Sequence, residues 1–148
     1  MLSDALGTFS NAQAITASAA STNSIDLGAT GTPKPGHTVA LKRDIGRGNP
    51  VNIRVQVTED FATLTSLKVA VQSDDDSAFG SAVTVLETEA VPVASLTVGY
   101  VFNLQYIPRN TDERYVQLYY TVAGSNATTG KVWAAVVEAS QDNDILAA

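Results

Sequence analysis

The sequence predicts an all-β fold, a two-sheet antiparallel sandwich of jelly-roll type with an extended N-terminal arm. One observation is the stretch from Val51 to Thr58, where Val51, Ile53, Val55 and Val57 alternate with Asn52, Arg54, Gln56 and Thr58, the period-two pattern of a half-buried strand. A second is the stretch from Ser66 to Thr88, two alternating runs joined by a connection rich in Asp, Ser and Gly, with Leu67, Val69 and Val71 on one face. The third is composition. The hydrophobic fraction is 45%, drawn largely from Ala and Val among many Thr and Ser, which suits pleated sheet better than long helices. At 148 residues one domain is expected, able to bury roughly 68–70% of its unfolded surface.

Taken in order, residues 1–28 read as the arm, 29–140 as the sandwich and 141–148 as a tail. The arm carries Leu6, Phe9, Ile15, Ile25 and Leu27 among small polar residues; Thr16, Ser18, Ser21 and Thr22 favour extended structure over helix from Asn11 to Ala20. Gly28 to Gly36, with Pro33 and Pro35, reads as a loop, and a strand is expected to begin at Thr38, where Val39 and Leu41 alternate with Ala40 and Lys42. Pro92 marks an edge or a connection. Tyr100 to Gln105 alternates again, as does Arg114 to Val122, and Ala123 to Gly130, containing Gly124-Ser125-Asn126, reads as a hairpin turn into Lys131 to Glu138. This last strand is apolar on both faces, Val132, Ala134 and Val136 on one and Trp133, Ala135 and Val137 on the other, so its second face needs a covering loop, the arm or a partner subunit. The tail is polar up to Ile145-Leu146 and is either mobile or docked through those two residues.

Net charge is −6, which repels phosphates and anionic lipid and argues against nucleic-acid or membrane partners. The charge is segregated. Lys34, Lys42, Arg43, Arg47 and Arg54 face only Asp44 in their stretch, whereas Glu59 to Glu89 is acidic apart from Lys68, a division suited to protein docking or to two solvated regions. With no cysteine, neither disulfides nor thiol chemistry is available, and folding in a reducing cytosol is possible. Met1 to Phe9 lacks the basic start and apolar run of a signal peptide, and no stretch approaches a membrane span.

Candidate chemical sites are weak. His37 has no acid or nucleophile beside it in sequence, and Asp74, Asp75 and Asp76 lack the spacing of a calcium loop and read better as an Asx-capped turn. Glu87 and Glu89 share a strand face but no apolar pocket residue brackets them, so catalysis there is not expected. Gly46-Arg47-Gly48 fails as a dinucleotide loop, and Asn126-Ala127-Thr128 is a glycosylation sequon only for a secreted chain. Tyr115, Tyr119, Tyr120 and Trp133 could form a sugar platform, though strand spacing favours core or interface. Neither cofactor nor metal is expected.

Several segments together resemble the capsid cement, or decoration, proteins of tailed bacteriophages, the family typified by the cement protein of a Bordetella phage. They are Asp4-Ala5-Leu6, Phe9 to Thr16, Ala20 to Gly28, Arg43-Asp44-Ile45-Gly46, Val71 to Phe79 and Glu113 to Val122, in the same order over nearly the whole chain. Pro92 to Val98 is less typical. The resemblance implies a non-enzymatic virion protein, made in the bacterial cytoplasm, that binds the outer surface of an HK97-type shell and bridges capsomers. Its implied partners are the major capsid protein and itself, a homodimer before a homotrimer. On this reading Phe9, Ile15, Lys42, Arg43 and Arg47 are expected to dock on the shell, and Trp133, Ala135, Val137 and Tyr119 to form the oligomer interface. A carbohydrate-binding module for host attachment is the alternative.

Overall fold

The long alternating stretches of the sequence form two strands that dominate the protein. In the computed structural model, which describes residues 3–32, 34–36, 38–104 and 106–138, these are β4 (Asn52–Asp74) and β7 (Tyr115–Val137), of 23 residues each. They pair antiparallel from Asn52↔Val137 to Asp74↔Tyr115. The runs expected as separate strands at 51–58 and 66–73 are therefore one, and the turn expected at Ala123 to Gly130 is part of β7.

The turn-forming residues at that point make bulges instead. Register slips repeatedly between Val57 and Ser66, where Thr63 takes φ 82°, Gly124 φ 82° and Gly130 φ 132°. A side chain at Gly130 would fall on the Phe61 ring, and one at Gly124 on Thr65, so glycine is needed for close approach as well as for its backbone angle. The Thr63 and Thr128 hydroxyls bond across the bend at 2.8 Å.

This bend lets one antiparallel sheet of seven strands act as two layers, consistent with the expected sandwich. One layer holds the first half of β4, the second half of β7 and β1 (Ser3–Ala14). The other holds the remaining halves, with β2 (Ala19–Ala20) and β3 (Ile25–Asp26) on β7, and β5 (Val83–Glu87) and β6 (Val91–Pro92) on β4. Val55, Val57, Val132 and Ala134 from the first layer share a core with Leu67, Val69, Val71, Leu118 and Tyr120 from the second, all fully buried. Removing each larger side chain from water stabilises the fold by roughly 1.5–3 kcal/mol.

The segment expected as an arm is extended but is not free. β1 pairs with β7 from Ser3↔Val137 to Ala14↔Lys131, and Phe9 and Ile15 lie in the core. The Ser10 hydroxyl meets that of Tyr120 at 2.8 Å, and burial holds the tyrosine hydroxyl in its neutral form well above its ordinary range. Gln13 fastens the following chain, donating to the Ala20 carbonyl and accepting from the Thr22 amide, both at 2.8 Å. Apolar residues spaced too widely to look like a core strand become one because β7 offers its edge to them.

Two further expectations change. Thr38 to Lys42 forms no strand, and Tyr100 to Leu104 is a segment beside β4 with a single bridge, Gln56↔Val101. The Phe102 amide still donates to Val55, and its ring is buried edge-on to Tyr100. Pro92 sits on a two-residue edge strand, as proline permits. His37 and the 141–148 tail lie outside the described residues.

Candidate docking surface

Between β3 and β4 the chain from Leu27 to Val51 forms no strand or helix among its described residues, yet it is held at defined points. Arg43 is the main fastener. Its guanidinium donates to the carbonyls of Leu27 (3.2 Å), Gly28 and Glu113 (3.4 Å). Beside it, Asp44 accepts from the amides of Gly46 (3.1 Å) and Asn110 (3.0 Å), and the Ile45 amide donates to Thr111. A side chain at Gly46 would collide with the Pro108 carbonyl, so this position has room for hydrogen alone. The Arg43-Asp44-Ile45-Gly46 motif is thus a clasp onto the loop before β7.

Outside the clasp the connection faces water. Val39 is 65% and Leu41 51% exposed, with Lys34, Lys42 and Arg47 also exposed, and among the described residues none of these cations makes an ion pair. Aliphatic groups interleaved with cations form a surface able to bury area against a partner and to draw an acidic one. The alternation of Val39 and Leu41 was the sequence signal here, but it was the signal of a strand. Its one backbone bond among the described residues runs from the Leu41 amide to the Gly31 carbonyl (2.8 Å), too little for a ladder, so the same residues become surface.

The other residues expected to dock or to associate fall elsewhere. Phe9 and Ile15 are core rather than displayed on the outer surface, and Arg43 is engaged in the clasp. Lys42 and Arg47 alone of that group lie on an accessible surface. On β7, Ala135 and Val137 are buried, whereas Trp133 and Tyr119 are half-buried. The second apolar face of β7 is partly covered from within the chain: Val137 lines a groove of about 540 Å³ with Phe102, Leu104 and Tyr106.

The acidic and aromatic candidates are likewise placed by structure. Asp74 is buried and accepts from the Asp76 amide (3.0 Å) and from the amide (2.8 Å) and hydroxyl of Ser81; the Asp76 amide first, opposed by burial, pulls its carboxyl below the ordinary value. Asp76 in turn accepts from the Ala78 amide, giving the Asx-capped turn. Glu87 pairs with Lys68 at 2.6 Å across the strands. Tyr120 belongs to the core, so Tyr115, Tyr119, Tyr120 and Trp133 do not form one platform. Among the described residues no three His, Asp or Glu side chains gather as metal ligands.

Next to the clasp, Asp26 and Arg114 form a two-pronged pair, both bonds 2.8 Å, which fixes β3 against the start of β7. Arg114, then the Gly28 amide, hold the Asp26 carboxyl down at about 2. Beneath the clasp lies a feature without a local sequence signature. Leu6, Phe9, Ile25, Leu27, Ile45 and Val136 line an open, almost wholly apolar groove of about 320 Å³, with Leu6 86% exposed at its lip. These residues are scattered over four parts of the chain, so only the fold brings them together.

From Phe9 to Val136 the chain matches the family model described as Bbp16. It belongs to the Bbp16 family. The match begins inside β1 and ends one residue before the end of β7, so the Bbp16 region includes the bent ribbon, the clasp and the exposed connection. Among curated proteins no relative matches.

Proposed function

We propose that this Bbp16-family chain is a capsid cement, or decoration, protein: it binds the outer surface of an HK97-type phage shell as a homo-oligomer, bridges neighbouring capsomers and performs no catalysis. The observation that carries the reading is the clasped connection, which displays Val39, Leu41, Lys42 and Arg47 from a rigid sandwich. The family name, of a form that suggests a Bordetella phage protein, supports a virion setting. A net charge of −6 suits the outside of a shell filled with DNA, and the local cations suit an acidic capsomer.

The mechanism is mechanical. A copy gripping two capsomers holds its second contact at high effective concentration, so modest individual contacts suffice. Binding the intact shell and not its dissociated parts stabilises the shell by mass action. The test is binding of purified protein to empty expanded shells beside a glycan array. Saturable shell binding that raises the temperature of DNA loss supports the proposal; glycan binding without shell binding replaces it with the host-attachment reading.

A further inference from the structure

The apolar groove beside the clasp is an open surface that water covers only at a cost, and it lies where β7 ends. Val136 lines it, Val137 pairs with both Ser3 and Asn52, and the Asn52 side chain donates to the carbonyl of Glu138. The chain therefore leaves the sheet between this apolar groove, lined by Val136, and the more polar one lined by Asn52 and Val137. Beyond Glu138 the sequence runs Ala139-Ser140-Gln141-Asp142-Asn143-Asp144, polar and rich in turn formers, and then Ile145-Leu146, two large aliphatic residues together.

From these observations we infer that the groove receives Ile145 and Leu146 of the same chain. Seven peptide steps separate Glu138 from Ile145, an extended span of about 23 Å, so the tail can reverse through its Asp-Asn-Asp stretch and still reach a groove that begins two residues before it. Size agrees: an apolar cavity of about 150 Å³ holds a benzene ring, and this groove, at about 320 Å³, is roughly twice that. Charge places the spacer outside: Asp4 is the one charged residue of the lining, so Asp142 and Asp144 belong in water, with exposed Lys42 and Arg47 three residues or fewer from Ile45 in sequence. Tethering makes the same-chain tail the favoured occupant, since the anchor is held at millimolar effective concentration. The bound tail shields Leu6 and seals the junction of β1 with the clasp.

The chain has no native cysteine, which permits a direct test in the full-length protein. Leu6→Cys with Leu146→Cys should form an intramolecular disulfide under mild oxidation at least about tenfold faster than Val98→Cys with Leu146→Cys, Val98 being an exposed position by the bend. Equal rates for the two pairs, or a cross-link joining two chains, would overturn the inference, the second result assigning the groove to a neighbouring copy's tail. Independently, Ile145→Asp with Leu146→Asp should raise the binding of an apolar fluorescent dye and lower the melting midpoint by roughly 5–10 °C. Unchanged dye binding and midpoint would equally sink it. Neither experiment involves a capsid, so the outcome stands apart from the cement proposal.

Discussion

The β4–β7 ribbon and the Leu27–Val51 connection solve the same problem in opposite ways. The ribbon places its residues by repetition, one rung after another over 23-residue strands, with alternate side chains buried. The connection has no repeating ladder and is placed by the few polar atoms of Arg43 and Asp44. Stability is spread through the first region and concentrated at a point in the second. Surface chemistry can thus vary in the connection without disturbing the core, while the clasp itself tolerates little.

The most severe way to break this contrast is to remove residues 2–20. Residues 1–28 read in sequence as an arm outside the sandwich, but the deletion removes β1 with Phe9 and Ile15, so loss of cooperative unfolding by circular dichroism is expected. Ile15→Ala, less drastic, should cost about 2–5 kcal/mol in denaturant titration. A sandwich that stays folded and equally stable after either change would make β1 an appendage after all.

Next in size is the clasp. Gly46→Val forces a collision with Pro108 and should cost about 1–3 kcal/mol or more. Arg43→Ala gives up charged hydrogen bonds to three carbonyls, each contributing about 1.5–3 kcal/mol in a buried setting and less here, where the side chain is half-exposed. The sharper expectation for Arg43→Ala is locality: limited proteolysis should accelerate between residues 28 and 42, with ribbon amide-exchange protection retained. Loss of protection throughout the ribbon would show that the two regions are one cooperative unit.

Smaller still is Lys42→Glu with Arg47→Glu. Both are exposed, so stability should move by no more than about 0.5 kcal/mol, while shell occupancy falls and loses its salt dependence. The smallest effect is acid dependence at the join of the two regions. The Asp26 carboxyl is lowered in the folded state, so its contribution is present above the unfolded value near 4 and disappears as pH falls through about 2. Carboxyl NMR should find that midpoint in the native protein, and Arg114→Ala should move it upward.

Much of the sheet was legible because half-buried strands write their periodicity into the chain: Val51 to Val57, Leu67 to Val71 and the start of β7 were found in this way, as was the hairpin from β4 to β5. What failed was continuity. Thr63, Gly124 and Gly130 carry the chemistry of turns, and nothing local distinguishes a reversal from a bulge that bends two strands together. The site was less legible for a related reason. Phe9 and Ile15 were expected to dock on a shell, yet one sheet edge suffices to bury them. Conversely, Val39 and Leu41 alternate like a strand but have no strand beside them. Arg43 looks like its cationic neighbours until the carbonyls around it are known.

The pairing of Ser3 with Val137 also sets a timetable for synthesis. β1 is the first strand to leave the ribosome and its partner is the last, some 134 residues later, which at about 5–20 residues per second is a delay of roughly 7–27 s. β4 must wait for the same partner. β4 with β5 and β6 is the largest paired unit that can assemble before then, and the full sheet closes only after β7 emerges. Phe9 and Ile15 therefore stay uncovered until β7 has been made, and slowing the ribosome between the codons of β1 and β7 should prolong that exposure without bringing the native fold any closer.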